Sequence, residues 1–383
     1  MIHKDFKNLK LPALGFGTMR LPVIGGDDSK IDEKATEEMV AYAMEHGVNY
    51  FDTAWIYHNG NSETVMGKIL GKYPRESWFL ADKFPGFKLS NLLHAKKIFE
   101  KQLERCAVDY FDFYLFHNVC EANVDAYLDT YPGKKFGLHN YLMSQKEIGR
   151  IRHLGFSAHG GYDVLKRFLD AYGDSMEFAL IQINYLDWTF QNAKAKVELL
   201  KEYDIPIWVM EPMRGGQLAA LSDEDAAKLR AYRSEEKAPA WALRFIQSIP
   251  NVAVTLTGAS SFEQLKANIE TLREEKPLSK NEFDALTEIA AGMIKKTTVS
   301  CTSCRYCLSS CPKQLDIPYL LNLYNEHNFT ISSGGLGFIA PMALKALPKG
   351  KHPKSCTACG ECEAVCPQQI KISSAIADFI AKL

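Results

Sequence analysis

NYFDTAWIYHNGNSETVMGKILGKYPRESWFLADK, residues 49–83, reads as strand, helix and strand in succession. Asn49 to Phe51 and Trp78 to Ala81 are short apolar runs, the pattern of strands buried on both faces, while Ser62 to Leu70 carries apolar residues at helical spacing. The first run ends at Asp52 and the second at Asp82-Lys83. The same unit recurs along the chain. Strands are predicted at Leu14 to Met19, Phe111 to Phe116, His153 to Phe156, Phe178 to Ile183, Ile205 to Met210 and Val252 to Leu256. Helices are predicted at Glu33 to Glu45, Leu92 to Cys106, Ser144 to Arg150, Tyr162 to Ala171, Ala193 to Lys201, as a pair around Asp223 to Ile249, and at Phe262 to Leu272. Eight β/α units in series specify an α/β fold of the (β/α)8 TIM-barrel type. The competing fold is a doubly wound open sheet, but no GxGxxG opens a helix after any strand.

Several strands end in a polar residue: Asp52, Asp82-Lys83, His117, Ser157, Gln182 to Asn184, and Glu211. Any one of these could be a strand running out into a loop. Together they mark the C-terminal face, where barrel enzymes place their chemistry. The long connection from Asn118 to Met143, with Tyr127, Tyr131, Phe136 and His139, reads as a lid or substrate-specificity loop.

Hydrophobic residues make up 46% of the chain, charged residues 24%, and the net charge is −1, which excludes polyelectrolyte character and argues against nucleic-acid binding. The polar start MIHKDFKNLK has no apolar h-region, and no apolar run is long enough to span a bilayer, so membrane insertion is not expected and the cytoplasm is. Eight of the ten cysteines fall between Cys301 and Cys366. The reading therefore divides the chain into a barrel at 1–275, a linker helix at 276–297 and a cysteine-rich domain at 298–383.

Cys301, Cys304, Cys307 and Cys311 precede Pro312, and Cys356, Cys359, Cys362 and Cys366 precede Pro367, so both runs read C-x2-C-x2-C-x3-C-P. In this run three thiolates hold one cubane and the fourth ligates the other cluster of a pair. Cys301, Cys304, Cys307 and Cys366 would thus bind one [4Fe–4S] centre, and Cys356, Cys359, Cys362 and Cys311 the second. Zinc is the alternative, but its structural sites take paired ligands from two separated places. The space between the runs admits a helical insert, and the segment resembles the longer dicluster ferredoxins, which implies a small, mainly α-helical ferredoxin-like domain. Lys345, Lys349, Lys351 and Lys354 form a basic stretch that reads as solvated surface. Cys106 and Cys120 read as ordinary core or loop residues.

Asp52, Tyr57, Lys83 and His117 stand at or just beyond the ends of the second, third and fourth strands, so all four can meet above the barrel. A tyrosine hydroxyl, pKa about 10, is a poor acid near neutrality unless a cation favours the phenolate, as Lys83 would while Asp52 positions it. Tyr57 then becomes a general acid, and His117 a second donor to a carbonyl oxygen that gains negative charge during hydride attack.

The sequence resembles the aldo-keto reductase family through LGFGTMRLP (14–22), FDTAWIYHNG (51–60), ADKFP (81–85), LFHN (115–118), IRHLGFSAHG (151–160) and GASSFEQLKANI (258–269). With the cysteine runs, it resembles the subgroup fused to a C-terminal 4Fe-4S ferredoxin domain. The resemblance implies that Asp52, Tyr57, Lys83 and His117 are the catalytic tetrad and that NADP or NAD is the coenzyme. By the same resemblance Ser157 and Gln182 hold the nicotinamide carboxamide, with Ala158 where an asparagine is usual, and Met210 stands where many members stack an aromatic. Gly258 and Gln264 occupy places where NADPH-specific members put a lysine and an arginine. Arg214 would then supply replacement charge or form a surface ion pair, and Gly215, Gly216, Ser260, Gln264 and Asn268 are coenzyme contacts by similarity.

The leading functional reading is an NAD(P)H-dependent oxidoreductase that reduces an aldehyde or ketone, with two [4Fe–4S] clusters for electron transfer or structural support. A nicotinamide delivers two electrons and each cluster accepts one, so direct coupling needs a mediator such as a flavin, for which no motif is visible. The second reading is an electron-transfer or redox-sensing protein that serves a redox partner and uses the barrel as a scaffold. A channel-type regulatory subunit of the same barrel family does not explain the cysteines.

Overall fold

Eight parallel strands close a barrel in the order β10-β3-β4-β5-β6-β7-β8-β9: β3 Leu14–Gly17, β4 Tyr50–Asp52, β5 Phe79–Phe84, β6 Phe111–Val119, β7 Ile151–Ala158, β8 Ala179–Gln182, β9 Ile207–Met210 and β10 Val252–Gly258. They are preceded by an antiparallel hairpin, β1 His3–Phe6 and β2 Leu9–Pro12. The computed structural model describes residues 1–301, 304–332 and 334–383, with the backbone alone at 296 and 297. These form two compact units, Met1–Phe283 and Asp284–Leu383, and the helix Lys280–Thr297 runs across the division. Among the described residues no helix is long and apolar enough to cross a membrane.

The barrel follows the sequence reading, and its departures have physical causes. Leu14 to Met19 is not one strand: β3 stops at Gly17 and Thr18–Arg20 turns as a 3-10 helix, in which Thr18 Oγ1 donates to Asp52 O (3.0 Å). The helix expected at Ser144 to Arg150 spans Leu138–Glu147, and Val124–Tyr127 forms a further turn. Part of the expected lid is therefore packed structure: Tyr127 is wholly buried and its hydroxyl donates to His117 O (2.8 Å). A Cβ at Gly86 would lie 2.0 Å from that hydroxyl, so only glycine allows the approach.

The hairpin left no mark in the periodicity. Its Phe6 and Leu11 enter the barrel core with Tyr50, Phe113, Phe178 and Trp208, and Phe6 meets Trp208 edge-on at 5.0 Å between centroids. Burial of one such ring contributes about 1.5–3 kcal/mol.

In the second unit, Ile317–Ser332 and Ile372–Lys382 pack with Ile339–Lys345 around Leu320, Leu321, Tyr324, Ile376 and Phe379. This is the mainly helical domain expected from the space between the cysteine runs.

Candidate functional site

Successive strand side chains point to opposite faces, so whatever follows an inward core residue by two also points inward. Tyr50, Ala81, Leu115, Leu180, Trp208 and Leu256 belong to the barrel core. Two residues on from each stand Asp52, Lys83, His117, Gln182, Met210 and Gly258. In β7 a Cβ at Gly155 would strike Phe178 at 2.5 Å, which marks that position as inward too, and Ser157 follows it by two. The sequence-predicted residues on the strands are thus one layer, the last of the barrel interior at its C-terminal end. Asp82, out of phase, points away from this layer.

Within it Lys83 Nζ donates to Asp52 Oδ1 (2.6 Å), Thr53 O (2.7 Å) and Tyr57 OH (3.4 Å). Lys83 is 1% exposed and Asp52 3%. Burial disfavours the Lys83 ammonium, but Asp52 and then Tyr57 outweigh it, and the pKa stands above its ordinary value. Burial lifts the Asp52 carboxyl, with Lys83 as the counterweight. Tyr57 lies edge-on to His117, 6.3 Å between centroids at 87°. Lys83 favours the Tyr57 phenolate as expected, but burial raises the phenol pKa by more than Lys83 lowers it, so the group stands above its ordinary value. His117 is pushed well below its ordinary value by burial, with Lys83 and His159 adding to it, so its ring is neutral near neutral pH. Among the described residues its Nδ1 has no hydrogen-bond partner.

The positions expected to hold a coenzyme lie around this centre. Ser157 Oγ accepts from Asn118 N (2.8 Å). Gln182 donates through Nε2 to Asp187 Oδ2 (2.6 Å), and its Oε1 lies 3.1 Å from His159 Nδ1. Arg214 is 3% exposed and its Nε donates to both Asp187 oxygens at 3.1 Å, so it forms a buried ion pair instead of a surface one. Gly215 and Gly216 follow with φ of 64° and 99°. Ser260 Oγ donates to Arg20 O (3.0 Å), Ser260 N donates to Gln264 Oε1 (2.9 Å), and Asn268 is buried behind them.

Sequence reasoning missed Arg20. A Cβ at Gly215 would lie 3.2 Å from its Nη2, and one at Gly258 3.2 Å from its Cβ, so this exposed side chain runs among the expected coenzyme positions. It missed Asp187 as the anchor of Gln182 and Arg214, and His58, whose Nε2 accepts from Leu21 N (3.1 Å) and pins the segment carrying Arg20. Asp187 meets Gln182 within five residues of chain, whereas its pairing with Arg214 and that of His58 with Leu21 join segments 27 and 37 residues apart, which no local pattern announces.

In the second unit the two cysteine runs fold alike. Arg305 and Gly360, each following the second cysteine of its run, have φ of 67° and 76°, and Gln314 and Gln369, each three residues past the fourth, have 49° and 52°. One cavity is lined by Cys311, Cys356, Cys359 and Cys362, and another by Cys301, Cys304, Cys307 and Cys366. Each draws three thiols from one run and the fourth from the other. Leu315 N donates to Cys311 Sγ and Ala358 N to Cys356 Sγ, both at 3.4 Å, contacts that stabilise thiolate ligands. Among the described residues no three His, Cys, Asp or Glu side chains converge to hold a single ion; thiolates that each meet a different iron need no such convergence.

A family model described as Aldo/keto reductase family matches residues 13–291, and one described as 4Fe-4S dicluster domain matches 300–371. The chain is similar to the Uncharacterized oxidoreductase YqkF of Bacillus subtilis (strain 168), 26% identical over 278 residues, covering 64% of this chain and 84% of that one. Protein tas of Escherichia coli (strain K12) is 27% identical over 338 residues, covering 74% and 94%. The solved holo form of aldo-keto reductase AKR11C1 from Bacillus halodurans shares the barrel fold with a TM-score of 0.61 at 24% identity, over 76% of this chain and 96% of its own.

Proposed function

This chain belongs to the aldo/keto reductase family and carries a 4Fe-4S dicluster domain after its barrel, and from that premise we propose that this oxidoreductase reduces an aldehyde or ketone with NADH or NADPH at the Asp52–Tyr57–Lys83–His117 site. The observation that carries the reading is Lys83 Nζ, bonded at once to Asp52 and to the Tyr57 hydroxyl on the last interior layer of the barrel.

A bound nicotinamide supplies the hydride. Tyr57 and the neutral His117 both donate hydrogen bonds to the substrate oxygen, and their pull strengthens as negative charge gathers there. Tyr57 then gives up its proton to that oxygen. Lys83, held protonated by Asp52, lowers the cost of the phenolate left behind, so its ammonium acts at the moment of transfer although burial dominates at rest. Ser157 and Gln182 orient the coenzyme amide, with Gln182 fixed in turn by Asp187 and His159. Arg214 is committed to Asp187, so we assign the coenzyme phosphates to Arg20 instead.

The two cysteine sets would each hold a [4Fe–4S] cluster for one-electron exchange. Four thiols round each cavity, with amide donors on two of the sulfurs, support this assignment.

The test is anaerobic oxidation of NADPH and NADH by a panel of aldehydes and ketones, with wild-type and Tyr57→Phe protein reconstituted alike. Loss of turnover in Tyr57→Phe with unchanged cluster absorbance supports the reading, and equal turnover in both proteins overturns it.

A further inference from the structure

Four lysines and no acidic residue fall between Ile339 and Cys359: Lys345, Lys349, Lys351 and Lys354. The fold gives part of this stretch a place. Lys351 Nζ donates to Lys313 O (3.2 Å) and Gln314 O (2.9 Å), which fastens it onto the loop after Cys311. Lys313, exposed, is on that loop and lines the cavity of Cys311, Cys356, Cys359 and Cys362. Lys354, also exposed, lies in the turn Pro353–Ser355, where Pro353 O accepts from Cys356 N (3.0 Å). Beside Lys313 the rim of the cavity is uncharged and exposed at Pro312, Thr357, Ala358 and Cys359. Glu363 is tied through Oε1 to Ser373 N (2.7 Å) and the Ser373 hydroxyl, and the exposed carboxylates of the neighbouring segments are Glu361 and Asp316, the latter 3.9 Å from Arg305 Nη2.

We propose that this rim is the docking surface of a small acidic protein that exchanges single electrons with the cluster of Cys311, Cys356, Cys359 and Cys362. The proposal rests on the cluster reading above and adds which surface is used and the charge of the partner. A cubane held by four thiolates is net negative and would by itself repel an acidic carrier. Lys313 on the rim, Lys351 fastened to its loop and Lys354 two residues before Cys356 oppose that field, and such local fields raise encounter rates by about ten- to a thousandfold at low salt. The neutral centre allows close contact over an exposed ligand, Cys359, as in interfaces with a desolvated core and a charged rim. Each exchange moves one electron, from cluster iron to partner or back; no bond forms or breaks and no proton moves.

The test uses the full iron–sulfur-loaded chain, reduced with dithionite, freed of excess reductant and mixed anaerobically with ferricytochrome b5 as an acidic one-electron acceptor or ferricytochrome c as a basic one. The ferric haem becomes ferrous as the cluster is oxidised. The rate with cytochrome b5 is expected to fall about tenfold between about 20 and 200 mM salt, and about tenfold at low salt in Lys313→Glu/Lys354→Glu. The same pair should speed cytochrome c. Both variant positions are exposed, and electron paramagnetic resonance of the reduced clusters confirms that they are intact. Rates with cytochrome b5 insensitive to salt and to charge reversal would overturn the docking surface while leaving the clusters in place. Protein that takes up no iron and sulfide would instead overturn the cluster reading, and this proposal with it.

Discussion

Lys83 and Asp52 form an ion pair of 2.6 Å in which neither side chain is more than 5% exposed. Removal of one partner from such a pair strands the other charge, at a cost of about 3–5 kcal/mol. Lys83→Met should therefore lose turnover and also unfold at clearly lower urea, whereas Tyr57→Phe should lose turnover at near wild-type stability. Equal urea midpoints for the two variants would show that the pair contributes nothing.

Tyr57 must be protonated to act as an acid, and burial holds its pKa above the ordinary value. Carbonyl reduction should accordingly stay level through neutrality and decline only above about pH 10. His117 is already neutral well below its ordinary value, so no acid limb is expected near pH 6.5. A kcat/KM profile that bends near pH 6.5 in the wild type but not in His117→Asn would contradict this.

Asp82 lies wholly buried beside Glu63, and burial with the Glu63 charge holds its pKa well above the ordinary range. Such a group binds its proton more tightly in the folded state, so its contribution falls as pH rises above about 4, the unfolded value, toward the raised folded value. Asp82→Asn removes that dependence. The stability of the wild type relative to Asp82→Asn, from urea unfolding at a series of pH values, should decrease steadily as pH rises; a flat difference would mean that the carboxyl is ionised in the fold.

Arg20→Ala should raise the KM for the coenzyme about tenfold and leave kcat nearly unchanged, since the side chain lies among the expected coenzyme positions away from Tyr57. A larger effect on NADPH than on NADH would assign Arg20 to a 2′-phosphate, and an equal effect to the pyrophosphate. Unaltered KM for both removes Arg20 from the site.

Cys311→Ala should abolish the cluster built on Cys356, Cys359 and Cys362, not the one built on its own run, because it lines the other cavity. Iron and sulfide content should fall by about half, and Cys366→Ala should give the reciprocal loss. Electron paramagnetic resonance of the two reduced variants should then show different single clusters, and identical spectra would refute the crossed pairing.

The alternation of buried runs with helical segments was enough to specify eight β/α units, because strands buried on both faces must be apolar throughout. The polar residues that end those runs located the C-terminal face, and the spacing of the cysteines announced the 4Fe-4S dicluster domain. Local pattern carried these because each is written in consecutive residues. The tertiary structure alone determined the rest. The hairpin His3–Phe6 and Leu9–Pro12 was too short and polar to register, yet Phe6 and Leu11 fill the barrel core once it closes. Arg214 looked available for a phosphate until Asp187, 27 residues earlier in the chain, took its charge, while Arg20 came among Gly215, Gly258 and Ser260 from the far end of the barrel sequence. The Tyr57 proton was judged from Lys83 alone, whereas the desolvation that outweighs Lys83 exists only when the walls of the site surround it. Composition and period report which face a residue takes; which charges meet there, and how dry the meeting is, depends on strands brought together from across the chain.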